Sequence, residues 1–356
     1  MSLLSDAEPG TEVSDDGSTR RSVELTYKAA IQLALEHSLR ADTDVIFIGE
    51  DVAAAGGVFK CSEGLLETFG PDRVMDMPIA EYGFAEVALG MGISGMRPIV
   101  EIMFADFLGV AASAIAVDFP RYRLTSGGQM KAPITIRTVG GLGWHFGAQH
   151  SMTYESWFQG MPGLRIAVSA RPASAYRNIR AAVHSDNPVL IIEHKLPIAR
   201  KELVEVGPPD ASSIGRAEVL RAGRDITVVA SLECVWTALA AAASLAESGV
   251  SVEVIDIAWI RPLDVATVIG SVSRTGRLLV LMEDYFPGSW ASTLLAEITM
   301  RGTRLKAAPE VVHLPDDLPV PFSPVVEMAM LPDAGSVAAK IARIVRGDDR
   351  GDEHAV

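Results

Sequence analysis

The amino-acid sequence predicts an α/β fold with two parallel-sheet domains. Short apolar runs, such as residues 45–48, alternate with helical patterns along the chain, and strands buried on both faces of a parallel sheet give such runs. The chain has 356 residues, which is long enough for two separate cores. A Gly207-Pro208-Pro209 run interrupts the pattern, which then resumes. We therefore expect three layers, helix, sheet and helix, in each domain.

The composition describes a globular chain and argues against several classes of function. Hydrophobic residues make up 49% of the chain and charged residues 21%, which distinguishes it from a disordered protein. The net charge of −14 argues against nucleic acid binding. Cys61 and Cys234 are too far apart in sequence to imply a disulfide framework or a metal cluster. Since membrane spans and a signal peptide are also missing, we expect a soluble, cytoplasmic protein.

The first half of the chain predicts an arm followed by alternating helices and strands. Residues 1–21 are acidic and lack periodicity, so we expect a disordered arm. Thr26 is a candidate N-cap for a helix in which apolar residues recur at spacings of four. The strand at 45–48 ends at Gly49-Glu50-Asp51, and parallel sheets bind ligands at such carboxyl ends. The later candidates are strands at 99–103, 133–137, 164–168 and 189–192, and helices at 106–124, with a bend near Pro120, and at 173–183.

The second half repeats this alternation after a break at residues 201–213, which we interpret as a linker. The candidates are strands at 226–229, 252–255 and 278–281, and helices at 235–247, 265–274, 289–301 and 335–346. A charged tail follows at 347–356. Alternation in both halves predicts two parallel-sheet domains and not an array of short repeats.

The segment 78–107 contains the strongest candidate for a binding site. Glu81 follows a short apolar run and precedes a glycine-rich predicted helix, and Phe107 follows the next predicted strand. A carboxylate after a strand, beside a helix whose glycines allow close approach, is suited to contact a flat heterocycle. The alternative is that Glu81 only caps the helix and that the glycines only serve packing. The spacing alone does not decide between them.

This segment resembles the β subunits of 2-oxo acid dehydrogenase E1 components, which are thiamine diphosphate enzymes related to transketolase. The family motifs P-I-S-E, R-P-I-x-E and A-Q-H-S correspond here to Pro78-Ile79-Ala80-Glu81, Arg97-Pro98-Ile99-Val100-Glu101 and Ala148-Gln149-His150-Ser151. The resemblance covers about residues 22–346. It implies a thiamine pyrimidine-binding domain at 22–200, the linker at 201–213 and a transketolase C-terminal-like domain at 214–346.

The resemblance also implies roles for individual residues. Glu81 would contact N1′ of the aminopyrimidine, Phe107 would stack on the ring and Ile79 would supply an apolar contact. Glu50 would be the second active-site glutamate, although it could instead be an acidic residue at a helix N-terminus. Phe107 could equally belong to the core. His150 would orient a substrate carboxylate or carbonyl, or donate a proton, unless the loop backbone satisfies it.

The missing motif is as informative as those present. Thiamine enzymes hold magnesium and the diphosphate with a Gly-Asp-Gly run, which this chain lacks. The resemblance therefore implies an E1 α subunit that supplies the magnesium site, in an α2β2 heterotetramer. It also implies a potassium site that is formed by the carbonyl groups of Ile134, Ala182, Val183, Ser185 and Asn187.

We interpret the chain as the β subunit of an enzyme that decarboxylates a 2-oxo acid and transfers the acyl group to a lipoyl-bearing E2 acyltransferase. Pyruvate is the first choice of substrate, and branched-chain 2-oxo acids or acetoin are alternatives. Glu86 and Trp144-His145 depart from the family pattern, which leaves open a subunit that loads acyl groups in a specialised pathway. A split transketolase is a rival enzyme, but sugar phosphates need more basic groups than these loops supply. A catalytically silent assembly subunit is the non-enzyme alternative.

Overall fold

The computed structural model describes residues 20–347, which divide into two compact units. The first unit contains the chain up to Gly140 together with Gly160–Ile214, and the second contains Gly141–Gln159 together with the chain from Gly215 onward. The sequence analysis assigned residues 141–159 to the first domain. These residues instead group with the second unit because their contacts are made mainly with it.

The first unit alternates strands and helices as the sequence predicts. Its strands are β1 (Arg21–Thr26), β2 (Val45–Gly49), β3 (Val74–Asp76), β4 (Arg97–Phe104), β5 (Thr135–Gly140), β6 (Arg165–Ser169), β7 (Val189–His194) and β8 (Lys201–Val206). Its α-helices are α1 (Tyr27–Ala41), α2 (Leu65–Phe69), α3 (Glu81–Ile93), α4 (Phe119–Thr125) and α5 (Pro172–Val183).

Six strands of this unit form a parallel sheet in the order β6-β7-β5-β4-β2-β3. Every residue of β2, β5 and β7 is buried, so both faces of the sheet are covered. Helix α1 packs against α5. The side chain of Thr26 accepts a hydrogen bond from the N–H of Ala29 at 3.1 Å, which confirms the predicted N-cap of α1.

Two predicted features of the first unit are wrong. Residues 106–124 do not form one helix, because a 3₁₀ turn (Ala105–Gly109), a π-helical turn (Ala114–Asp118) and α4 succeed one another. Pro120 lies in the first turn of α4, where its missing N–H costs nothing. The proposed linker at 201–213 contains β8, which pairs antiparallel with β1. Residues 1–19 of the predicted arm and 348–356 of the predicted tail lie outside the described part of the chain.

The second unit contains a five-stranded sheet in the order β14-β13-β10-β11-β9. Its five strands are β9 (Glu218–Arg221), β10 (Ile226–Ala230), β11 (Val252–Asp256), β13 (Leu278–Tyr285) and β14 (Glu310–Leu314), and the short strand β12 (Trp259–Arg261) lies outside this sheet. The α-helices are α6 (Leu232–Ala246), α7 (Val265–Thr275), α8 (Trp290–Met300), α9 (Pro324–Met330) and α10 (Ala334–Arg346). Only β9 runs antiparallel to its neighbour, as an edge strand. Between residues 20 and 347, the helices are all too short or too polar to cross a membrane.

Candidate active site

Neighbouring strands of the first sheet end side by side, and residues selected from the sequence follow them. Gly49 at the end of β2 lies opposite Asp76 at the end of β3, and β4 adjoins β2 on the other side. Glu50 follows β2, Glu81 follows β3 and Phe107 follows β4. Because these strands are parallel, the three residues lie at the same carboxyl edge of the sheet, where α/β folds bind ligands.

Close main-chain contacts fix the end of β2. A Cβ atom at Gly49 would lie 2.7 Å from the carbonyl oxygen of Glu101, so only glycine fits without displacing β4. The carbonyl oxygen of Gly49 accepts a hydrogen bond from the N–H of Met77 at 2.8 Å. The carboxylate of Asp76 accepts one from the N–H of Ala53 at 2.7 Å. The backbone that carries Glu50 is therefore tied to both neighbouring strands.

Two buried carboxyl groups at this edge are close enough to interact electrostatically. Glu50 is 8% exposed and Glu81 is 7% exposed. Burial raises the pKa of Glu50, and the negative charges of Glu81 and Asp51 raise it further. Oε1 of Glu50 is buried and has no hydrogen-bond partner among residues 20–347. An unpartnered buried oxygen is costly, and a nitrogen-bearing ring that donates a hydrogen bond would satisfy it.

The structure bears differently on the alternative structural roles of the two acids. Ala80 is the N-cap of α3, and Glu81 is the first residue inside that helix, where an acidic side chain also stabilises the helix dipole. This structural role of Glu81 therefore stays open. No helix begins between residues 51 and 64, so Glu50 is not an acidic residue in the first turn of a following helix. Binding of a ligand by the two carboxyl groups at the sheet edge remains a prediction.

The two apolar residues predicted to contact the ring differ in their environment. Phe107 lies in the 3₁₀ turn after β4 and is half-buried, with its ring edge-on to that of Phe104 at a centroid distance of 5.9 Å. Ile79 is 86% exposed. Phe107 is thus partly exposed, and Ile79 projects from the surface beside α3. Their proposed roles remain predictions.

A buried ion network that the sequence analysis missed lies next to this edge. Arg137 on β5 donates to Glu193 on β7 at 2.8 and 2.7 Å and to Glu101 on β4 at 2.6 Å. Burial alone would lower the pKa of Arg137, but the two carboxylates outweigh it and raise the pKa. The signal was a charged residue inside each of three strand-like runs, since such charges are buried only when paired.

His150 belongs to the second unit, on the segment Gly141–Gln159. His150 is half-buried, and its main-chain N–H donates to the carbonyl oxygen of Gly147 at 3.2 Å. The described contacts do not assign it to a ligand, so its catalytic role remains a prediction.

Two fully buried glutamates that the sequence analysis did not select hold this segment. The N–H of Leu142 donates to Oε1 of Glu283 at 2.5 Å, and the N–H of Gly143 donates to Oε1 of Glu327 at 2.8 Å. Oε2 of Glu327 contacts Nδ1 of His145. Charges within or next to apolar runs, Met282-Glu283 and Val326-Glu327, were the signal for these contacts.

The five carbonyl groups of the predicted potassium site already accept hydrogen bonds. Nη1 of Arg97 donates to the carbonyl oxygens of Val183 at 3.0 Å and Ser185 at 3.3 Å. The carbonyl oxygens of Ile134, Ala182 and Asn187 accept from Val189 N–H, Ser185 N–H and Ser185 Oγ. Each carbonyl oxygen has a second lone pair, so potassium binding at these groups remains a prediction. Between residues 20 and 347, no three His, Cys, Asp or Glu side chains cluster as metal ligands.

Comparisons with known proteins place both units in described families. Residues 23–199 match the family model for the transketolase pyrimidine-binding domain, and residues 215–337 match that for the transketolase C-terminal domain. A solved structure described as a split-gene transketolase, inactive β4 tetramer, superposes with a TM-score of 0.70 at 22% identity, covering 90% of this chain and 98% of that one. These findings confirm the predicted fold.

Curated relatives span nearly the same residues. The chain is 37% identical over 322 residues to the 2-oxoisovalerate dehydrogenase subunit beta of Bacillus subtilis, covering 90% of this chain and 98% of the relative. It is 34% identical over 320 residues to the pyruvate dehydrogenase E1 component subunit beta of Rhizobium meliloti (90% and 70%). It is also 34% identical over 334 residues to an acetoin oxidoreductase subunit beta of Cupriavidus necator (91% and 98%).

Proposed function

The chain belongs to the family of 2-oxo acid dehydrogenase E1 β subunits, and from this premise we propose that it decarboxylates a 2-oxo acid as half of an α/β enzyme. The observation that carries the proposal is the buried pair Glu50 and Glu81 at the carboxyl edge of the first sheet. Oε1 of Glu50 lacks a hydrogen-bond partner among the described residues, which suits a site that a polar heterocycle completes.

The residues at this edge fit the pyrimidine end of thiamine diphosphate. When bound, this cofactor supplies the carbanion stabilisation that decarboxylation of a 2-oxo acid needs. Glu81 would hydrogen-bond N1′ of the pyrimidine, and Glu50 would hydrogen-bond at the same end of the ring. Phe107 would stack on the ring, and Ile79 would cover its edge. Burial of both acids excludes water that would otherwise compete for these hydrogen bonds.

The rest of the enzyme would come from partner chains. Because this sequence has no Gly-Asp-Gly run, an E1 α subunit would hold magnesium and the diphosphate, in a cytoplasmic α2β2 heterotetramer. His150 would orient the substrate or donate a proton. The acyl group would then pass to a lipoyl domain of an E2 acyltransferase.

Pyruvate remains the first choice of 2-oxo acid. Relatives named for pyruvate, 2-oxoisovalerate and acetoin are all 34–37% identical to this chain, so identity does not separate these substrates. Trp144 and His145 differ from the usual family pattern. Because of this difference, a subunit that loads acyl groups in a specialised pathway is the alternative function.

The test is to purify the chain with its α-type partner and to assay a series of 2-oxo acids with an artificial electron acceptor. We expect turnover that requires thiamine diphosphate and magnesium, and a loss of at least about 100-fold on Glu81→Gln. Glu67→Gln, the same change at an exposed site on α2, is the control and should leave turnover unchanged. Equal turnover by the Glu81 variant and the wild type would contradict the proposal and favour a silent assembly subunit.

A further inference from the structure

Helix α5 and the chain at the end of β8 border a cavity of about 220 Å³ in the first unit. The chain after β8 contributes Gly207, Pro208 and Pro209, and the helix contributes residues at positions i, i+3, i+4 and i+7, which share one face. These helix residues are Ala173, Tyr176, Arg177 and Arg180. Pockets for drug-sized ligands usually measure about 300–1,000 Å³, so this cavity has room for a small ligand only. Glu50 and Glu81 are not among the residues that line it.

The charged residues that line the cavity are mainly arginines. Arg20, Arg177 and Arg180 line it, together with Glu205 and Asp210. Nη1 of Arg20 donates to Oε1 of Glu205 at 2.7 Å. Oδ1 of Asp210 accepts hydrogen bonds from the N–H and the hydroxyl group of the residue two positions later, at 2.9 and 2.6 Å. In a chain with a net charge of −14, the described residues thus give this cavity a local excess of positive charge.

Buried hydrogen bonds hold two of the lining residues in place. Tyr176 is 3% exposed and Arg180 is 2% exposed. The hydroxyl group of Tyr176 donates to the carbonyl oxygen of Gly207 at 3.1 Å, accepts from the N–H of the same glycine at 3.2 Å and hydrogen-bonds Nδ1 of His37 at 2.8 Å. Nη1 of Arg180 donates to Oγ of Ser38 at 3.3 Å. A guanidinium group has five N–H donors, so this bond is compatible with binding of an anion by the same side chain.

A further arginine points inward beside the cavity. Arg21 on β1 lies opposite Val206 on β8, and directly opposite residues of an antiparallel pair point to the same face. Because Val206 is buried, Arg21 also points toward the interior. Its Nη2 is buried and has no hydrogen-bond partner among residues 20–347. Burial raises the pKa of Tyr176, and the charges of Arg180 and Arg21 lower it. An anion in the cavity would offset the cost of burying this positive charge.

We propose that this cavity binds the phosphate group of a small molecule, with Arg177 and Arg180 as its hydrogen-bond donors and Arg21 as a further positive charge beside it. The two donors lie one turn of α5 apart, and a tetrahedral phosphate group has enough oxygen atoms to accept from both. The small volume argues against a nucleotide. Inorganic phosphate and small phosphate esters share the chemistry that these arginines recognise. The inference goes beyond the proposed function and does not depend on it.

The test is titration calorimetry of the purified full chain with inorganic phosphate, with glycerol 3-phosphate and with acetate as a carboxylate probe, all at one ionic strength. We expect both phosphate probes to bind, and acetate to bind at least about 10-fold more weakly. Arg177→Gln should weaken phosphate binding about 10- to 100-fold, as expected for the loss of a hydrogen bond to a charged group. Arg121→Gln makes the same change at an exposed site on α4 and should bind like the wild type. Circular dichroism melts establish that each variant is folded.

Arg177→Lys distinguishes a specific site from a general attraction between charges. Lysine keeps the positive charge but lacks the planar set of donors, so its phosphate affinity should lie between those of the wild type and Arg177→Gln. Arg180→Gln should also weaken binding. If that variant does not fold because Arg180 is buried, the two variants of the half-buried Arg177 decide the question.

Each outcome supports or overturns the inference. Equal phosphate affinity of the wild type and Arg177→Gln would overturn it, and so would a failure of both phosphate probes to bind. Acetate binding as tight as phosphate binding would show that the cavity takes carboxylates and would also overturn it. Tighter binding of glycerol 3-phosphate than of inorganic phosphate would support a phosphate ester as the ligand, and the reverse order would support free phosphate. Since no 2-oxo acid or cofactor is present, the result does not bear on the proposed decarboxylation.

Discussion

Glu327 on α9 is fully buried, and its carboxylate contacts Nδ1 of His145 while it accepts a hydrogen bond from the N–H of Gly143 at 2.8 Å. His145 has a φ of +60°, a conformation that costs a non-glycine residue about 1 kcal/mol or more. The contact with Glu327 offsets that cost. One buried side chain thus holds both the main chain and a side chain of the segment that carries His150.

We expect Glu327→Ala to destabilise the second unit by about 2–4 kcal/mol, since it leaves the N–H of Gly143 and Nδ1 of His145 without their acceptor. Urea unfolding measures this change. His145→Gly should cost less, because glycine adopts a positive φ without strain, and the relief of that strain partly offsets the lost contact with Glu327. Glu247→Ala removes an exposed glutamate after α6 and serves as the control. An equal loss in the Glu327 and Glu247 variants would contradict this account.

We expect Gly49→Ala to destabilise the first unit by about 1–3 kcal/mol, because the added Cβ would lie 2.7 Å from the carbonyl oxygen of Glu101. The matched control is Gly270→Ala in the interior of α7. A Cβ there meets nothing closer than the end of the Arg274 side chain at 4.0 Å, so this change should stabilise by about 0.5–1 kcal/mol. Urea unfolding of both variants measures the change in the free energy of unfolding. If both variants are stabilised, the backbone of β4 moves away from the added Cβ at Gly49 at no cost, and this account is wrong.

The sequence predicted the fold and the sheet edge because these depend on local patterns. Continuous apolar runs identified β2 and β7 within one or two residues, and Thr26 marked the start of α1. The missed features depend on contacts between distant residues. The sequence of β8 has the pattern of a linker, and its pairing with β1, which makes it a strand, is visible only in the structure.

The candidate site divides in the same way. The positions of Glu50 and Glu81 follow from the strands that precede them, and the family motif selected them. Glu327 forms its contact with Gly143 across 184 residues. No periodicity encodes such a pairing, because it arises only when the second unit is packed. Only the placement of a charged residue among apolar neighbours signalled that Glu327 needed a partner.

Potassium should raise the melting temperature of the chain if the carbonyl groups around Ser185 bind it. At a potassium concentration one hundred times the Kd of the site, binding would stabilise the protein by about 2.7 kcal/mol. Thermal melts in equal concentrations of potassium, sodium and lithium chloride test this without any cofactor. We expect a rise in potassium only. Equal melting temperatures in the three salts would show that Arg97, which already donates to Val183 and Ser185, serves in place of the ion.

Glu155 should make the stability of the second unit depend on pH. Burial raises the pKa of this fully buried carboxyl group to about 8, and the charge of Asp284 contributes. Nε1 of Trp290 donates a hydrogen bond to Oε2 of Glu155 at 3.0 Å. The folded chain therefore binds a proton that the unfolded chain releases near the ordinary glutamate value of 4.5. The stabilisation is complete below that value and is lost as the pH rises through about 8.

Glu155→Gln removes this titration while it keeps the shape of the side chain and an oxygen that can accept the Trp290 hydrogen bond. We expect the free energy of unfolding of the variant, relative to the wild type, to rise by up to about 1.4 kcal/mol per pH unit in this range. The difference should level off above about pH 8, where the wild-type group ionises in both states. Urea unfolding at several pH values measures it, with Glu247→Gln as an exposed control that should follow the wild type. A constant difference between pH 5 and 9 would mean that Glu155 is ionised in the folded chain throughout, with its charge stabilised by Ser231 and Trp290.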